Sequence, residues 1–129
     1  VYTFEINDEM EDFTRPWIEQ SHVANKIDFR IGDAAKEAPK LGITFDMAFV
    51  DGDKRTYAEV YEKLLPIIRP GGYILADNTL WDWHVIDPAY DHDHQTIGIR
   101  QFNDLITKDE RVEKVILPLR DGLTLIRKK

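Results

Sequence analysis

Between Val1 and Asn78 four short apolar runs alternate with stretches of helical spacing, and few architectures accept that order. The run "VYTFEIN" alternates β-branched and aromatic residues before Asn7-Asp8, which predicts a strand, a cap and a helix over roughly residues 8–21. "KIDFRIGDA" predicts a strand from Ile27 to Ile31 that stops at Gly32-Asp33, with a short helical segment running to Pro39. "FDMAFVD" is a third strand, whose near-continuous apolar character suits cover on both faces. "TYAEVYEKLLPIIRPGG" spaces Val60, Leu64, Ile67 and Ile68 as a helix that Pro70-Gly71-Gly72 ends, and "GYILADN" is a fourth strand. Strands joined by helical crossovers run parallel, so the expectation is an α/β chain with a mostly parallel sheet. After a polar and aromatic loop, "TIGIRQFNDLIT" predicts a last helix. "RVEKVILPLRDGLTLIRKK" places two apolar runs around the turn signal Asp121-Gly122, so the sheet should finish with an antiparallel pair.

At 129 residues the chain suffices for one domain with a real core, and a single domain over residues 1–129 is expected. It begins at Val1 inside an extended pattern, as a piece of a longer protein would. The net charge of -7, from 24 acidic against 17 basic residues, argues against nucleic acid as a partner and suits cations better. Without cysteine there are no disulfides, thiolate metal sites or cysteine nucleophiles, which fits a reducing cytoplasm. No stretch approaches the roughly 20 apolar residues of a membrane span, so no membrane partner is expected.

In open α/β sheets ligands bind beyond the carboxyl ends of the strands. The residues there are Glu5, Asp33, Asp51 with Asp53, and Asp77 with Asn78. Acidic groups converging on one edge repel one another unless a cation or positively charged ligand sits among them. Asp51, Asp77 and the Asn78 carbonyl are hard oxygen donors, which favour Mg²⁺, Mn²⁺ or Ca²⁺. Any one of these aspartates taken alone reads most often as a helix cap or turn former, a reading that weakens when they are taken together. An acid in the position of Glu5 commonly takes a ribose hydroxyl pair, about 20 residues after a glycine-rich turn.

The stretch "FVDGDKRTYAEVYEKLLPIIRPGGYILADNTLW", with "IRQFN" and the closing "LPLRDGLTLIRKK", closely resembles the cation-dependent O-methyltransferases, the group of the caffeoyl-CoA and catechol enzymes. The resemblance implies a Rossmann-like methyltransferase sheet and S-adenosylmethionine as methyl donor. It further implies Asp51, Asp77 and Asn78 as metal ligands and Lys54 as general base. Glu5 matches the acid on the adenosine ribose, Asp33 and Ala34 the loop beside the adenine, Asp53 a second cofactor contact, and Trp81 a wall of the substrate pocket. The acceptor implied is a small phenolic or catechol-like molecule, and the full-length protein is expected to be a homodimer. The family's first strand and glycine-rich loop have no counterpart among these residues. In the family that strand lies between those ending at Glu5 and Asp51, so a hole or a rearranged pairing is expected, together with weak donor binding and little turnover by this chain alone.

Other patterns compete less well. His84, His92 and His94 lie among aspartates, but His-x-His in a polar loop lacks a third ligand at fixed spacing. "VDGD" also resembles the nucleophile loop of aspartate-based phosphatases, which expect a hydroxyl residue where Arg55 stands. A non-catalytic domain fragment is the reading from outside enzymology.

Overall fold

In the computed structural model, which describes residues 1–129, the alternation becomes two separately hydrogen-bonded sheets, one in each of two compact units, Val1–Leu41 and Gly42–Lys129. In the first unit β1 (Tyr2–Glu5) pairs in parallel with β2 (Asp28–Ile31), with Tyr2 opposite Asp28 and Glu5 opposite Ile31. Asn7 accepts a hydrogen bond from the Glu9 N–H at 3.1 Å and opens a 3₁₀ turn that leads into α1 (Glu11–Glu19). The regular helix is therefore shorter than the 8–21 span, because its first turn is wound more tightly. Asp33 caps the single-turn α2 (Ala34–Glu37) by accepting from Ala35 N at 3.0 Å.

The second unit holds β3 (Phe45–Val50), α3 (Tyr57–Leu64), β4 (Ile68–Asp77), α4 (His94–Lys108), β5 (Val112–Leu117) and β6 (Leu123–Lys128). Its sheet order is β3-β4-β6-β5, with β3 and β4 parallel and the other pairings antiparallel, so the closing hairpin reads as expected. Tyr57, Tyr61 and Leu64 of α3, Ile99, Phe102 and Ile106 of α4, and Val50, Ile74, Ala76 and Ile126 of the sheet are all buried. Phe102 meets the rings of Tyr57 and Tyr61 edge-on, at 5.5 and 6.0 Å between centroids. No helix is long and apolar enough to cross a membrane.

Two expectations are corrected. The helix ends at Leu64, where Pro66 tightens the chain into a 3₁₀ turn over Leu65–Ile67, and not at Pro70-Gly71-Gly72. That tripeptide lies inside β4, where the β3–β4 register shifts, and a Cβ on Gly72 would come within 2.7 Å of Asp46 O. Nor is β3 covered on both faces: Met47 and Phe49 are each 57% exposed. β3 is hydrogen-bonded only to β4, and the row Phe49, Leu75, Leu125 and Val115 crosses the face opposite the buried Ile74, Ala76 and Ile126.

Asp109, at the C-cap of α4, accepts from the Tyr61 hydroxyl at 2.8 Å and from the Arg111 guanidinium at 2.7 Å. The Arg111 side chain holds the Asp109 carboxyl well below its ordinary 3.8. A depressed carboxylate adds stability above its unfolded value, and that contribution is lost as pH falls through the folded one. Asp109→Asn should therefore cost about 1–3 kcal/mol at pH 7, and the loss should shrink in acid. Urea unfolding of both proteins at neutral and acidic pH checks this, and equal losses at both would refute it.

Candidate active site

Val50 sits opposite Ala76 in the parallel ladder, so Asp51 and Asp77 emerge side by side at the carboxyl ends of β3 and β4. Just beyond, Asp53 accepts from Arg55 N at 3.0 Å and starts a 3₁₀ turn over Lys54–Thr56. The turn points Lys54 inward, leaving its side chain only 6% exposed. The Lys54 Nζ donates to Asp51 Oδ1 at 3.0 Å and to the Tyr57 hydroxyl at 2.7 Å, and lies 5.6 Å from the centre of the Trp81 ring. A buried ammonium is tolerated only when paired, and here a carboxylate, a phenol oxygen and aromatic faces supply the pairing. Tyr57 in turn donates to Val50 O at 3.1 Å and Asp77 O at 3.0 Å, which ties both strand ends to the first turn of α3. Burial, then the charges of Asp51, Asp77 and Asp121, push the Tyr57 hydroxyl well above its ordinary 10.0, so it stays a neutral donor.

After β4 the chain turns sharply. Asn78 adopts a φ of 60°, and its N–H donates to Asp77 Oδ1 at 2.8 Å. The turn between β5 and β6 grips this segment: Gly122 O accepts from Thr79 N at 3.1 Å, and Asp121 O from Leu80 N at 2.8 Å. Gly122, at φ 93°, is required there because a Cβ would lie 2.6 Å from Leu80 Cγ. Trp81, Asp82 and Trp83 all take positive φ. Arg100 of α4 steadies the loop that follows by donating to His84 O at 3.0 Å, Val85 O at 2.9 Å and Asp87 O at 2.9 Å. Within that loop Trp83, His84, Ile86, Pro88 and Tyr90 line an open hollow, and His84 stacks on Tyr90 at 3.5 Å.

Asp51, Lys54, Asp77, Asn78 and Trp81 are thus brought together through Lys54, Tyr57 and the 78–81 turn. Asp53 faces the Arg55 guanidinium, which pulls its carboxyl down to about 2. In the first unit Glu5 and Asp33 close neighbouring parallel strands. Glu5 Oε1 accepts from Asn7 N at 2.8 Å, while Asp33 caps Ala34–Glu37 and pairs with Lys36 at 2.9 Å. No three His, Asp or Glu side chains form a group that could hold a metal ion. Two carboxylates and an amide oxygen, the set Asp51, Asp77 and Asn78, are a different kind of donor group, suited to a hard cation that keeps other oxygens in its shell. Asp121 Oδ1, buried close to the Asn78 side chain, makes no hydrogen bond within the chain.

Four participants escape sequence reasoning. Tyr57 reads as part of an apolar helical face, and only its place three residues after Lys54 hints at contact. Asp121 reads as half of a turn signal. Gln95, which accepts from Lys54 N at 2.9 Å, and Gly98, where a Cβ would stand 2.5 Å from Lys54 O, carry no local signal, since only packing brings α4 onto the 54–55 turn.

A family model described as O-methyltransferase matches residues 1–129. The chain belongs to the O-methyltransferase family. It is 40% identical to tricin synthase 2 of Oryza sativa subsp. japonica, over 99% of this chain and 48% of that protein. It is 37% identical to a caffeoyl-CoA O-methyltransferase of Mesembryanthemum crystallinum, over 99% of this chain and 55% of that protein. The chain thus spans about half the length of these curated relatives. Among solved structures it matches an O-methyltransferase of Bacillus cereus in complex with SAH, with TM-score 0.89 and 28% identity over 100% of this chain and 62% of that one. It also matches the SAH-bound methyltransferase PaMTH1 of Podospora anserina, with TM-score 0.88 and 26% identity over 99% and 60%. The α/β fold of this O-methyltransferase chain is the Rossmann-like fold of those enzymes, and the resemblance to the caffeoyl-CoA group is borne out.

The packing of α4 on the Lys54 turn gives a direct test. Gly98→Ala should lower stability by about 1–3 kcal/mol, because backbone and not a flexible side chain blocks the new methyl. Denaturant unfolding measures it, and a neutral or stabilised variant would contradict this packing.

Proposed function

We propose that the protein transfers a methyl group from S-adenosylmethionine to a phenolic or catechol-like hydroxyl, with a divalent cation, Mg²⁺ or else Mn²⁺ or Ca²⁺, held by Asp51, Asp77 and Asn78. The observation that carries this reading is the buried Lys54 amine, wedged between Asp51, Tyr57 and Trp81 beside the Asp77-Asn78 turn. A bound hard cation would supply Lewis-acid polarisation of the acceptor hydroxyl. Once its ammonium has released a proton to solvent, Lys54 accepts the hydroxyl proton at Nζ, and Tyr57 keeps that atom aimed by accepting one of its hydrogen bonds. Trp81 offers a flat apolar wall against which an aromatic acceptor can stack.

On the donor side Glu5 takes the ribose hydroxyls through the carboxylate oxygen that Asn7 leaves free. Asp33 and Ala34 of the same unit line the rest of that site. The relatives' names carry the acceptor class no further than tricin and caffeoyl-CoA chemistry, and the cofactor in the matched structures supports the donor. As a soluble enzyme of this kind it would work in the cytoplasm as a homodimer on small molecules. Residues 1–129 alone should bind S-adenosylmethionine weakly, since they hold no glycine-rich strand-to-helix turn for its methionine end.

Two outcomes are expected of the full-length enzyme with a catechol acceptor. Chelation by EDTA should abolish methyl transfer and added Mg²⁺ should restore it. Lys54→Met should lower kcat by about 10²–10⁴-fold with a smaller change in KM. Turnover that survives both treatments would remove the cation and the base from the reaction.

A further inference from the structure

An asparagine can ligate a cation only through Oδ1, and its carboxamide is two-faced, with an acceptor on one side and a donor on the other. Something must decide which side is offered to the proposed cation. Asn78 Nδ2 donates to Asp121 Oδ2 at 2.7 Å, across 43 residues of sequence. Turned the other way, the amide would set two acceptor oxygens against each other at that distance, so the carboxylate of Asp121 fixes the orientation. Asp121 is itself held to the same turn by its backbone, since its carbonyl accepts from Leu80 N at 2.8 Å and Trp81 N at 3.2 Å. Its other carboxylate oxygen, Oδ1, is buried and makes no hydrogen bond.

From this geometry we infer that Asp121 is a positioning residue, which locks the Asn78 amide with its oxygen presented for the cation. The inference rests on the cation reading above and adds to it a residue outside the ligand set. Ligand-orienting partners of this kind typically change metal affinity by about 10–100-fold when removed.

The test is Mn²⁺ binding, followed by the paramagnetic signal of the free ion, in a double-mutant cycle of Asn78→Ala and Asp121→Ala. Asp121→Ala should weaken Mn²⁺ binding roughly 10–100-fold, and the double variant should bind no more weakly than Asn78→Ala alone. Fully additive losses, or an unchanged affinity in Asp121→Ala, overturn the inference while leaving the cation reading standing. A wild-type protein that takes up no Mn²⁺, or an Asn78→Ala variant that binds it undiminished, overturns the cation reading and this inference with it. The metal-free wild-type protein supplies a second measurement that needs no variant to fold. One Asn78 side-chain N–H proton should resonate downfield of ordinary carboxamides and exchange slowly, and a free-amide signal there overturns the inference.

Discussion

A buried ammonium is the interaction on which the rest of the second unit turns. Lys54 carries its charge to a place that is almost wholly shielded from water, which the chain tolerates only because Asp51, Tyr57 and Trp81 meet it there. Each partner comes from a different element: the end of β3, the first turn of α3 and the loop after β4. Tyr57 then extends the link by donating to carbonyls at the ends of both parallel strands. Fixing one charge thus fixes the carboxyl edge of the sheet, the edge where an α/β fold places its chemistry.

The second constraint is the grip of the β5–β6 turn on residues 78–81. Asn78 and Trp81 adopt backbone conformations that cost energy for residues with side chains, and such conformations persist only where neighbours over-determine them. Here the neighbours are the carbonyls of Asp121 and Gly122, the Thr79–Thr124 hydroxyl pair at 2.8 Å, and Asn103, which donates to Thr79 O at 2.8 Å. The antiparallel hairpin that ends the chain is therefore part of the site, and α4 contributes from the other side through Gln95, Gly98 and Arg100.

What could be read in advance followed from local rules. A near-continuous apolar run closed by Asp51 marks a strand end in an α/β sheet, and Asp77-Asn78 marks another, so the candidate ligands were visible from position alone. Asp33 and Asp53 show the limit of that reasoning, since each caps the following turn while also standing where a cofactor contact is expected. Pro70-Gly71-Gly72 misleads as a helix stop, because the glycines serve a close strand crossing that only the fold reveals. Met47 and Phe49 mislead as buried residues, because cover for a strand face is a property of what packs there and not of the strand.

By itself the sequence determined the periodicities, the caps, the acidic strand ends and the motifs that place the chain in its family, because these depend on residue types a few positions apart. Tertiary structure alone decided that Lys54 is buried and not solvated, that Tyr57 links two strand ends, and that Asp121 turns the amide of Asn78. Those outcomes depend on contacts between residues up to 43 positions apart. Only the closing of the sheet and the packing of α4 bring them within hydrogen-bonding distance, and no local pattern encodes that approach.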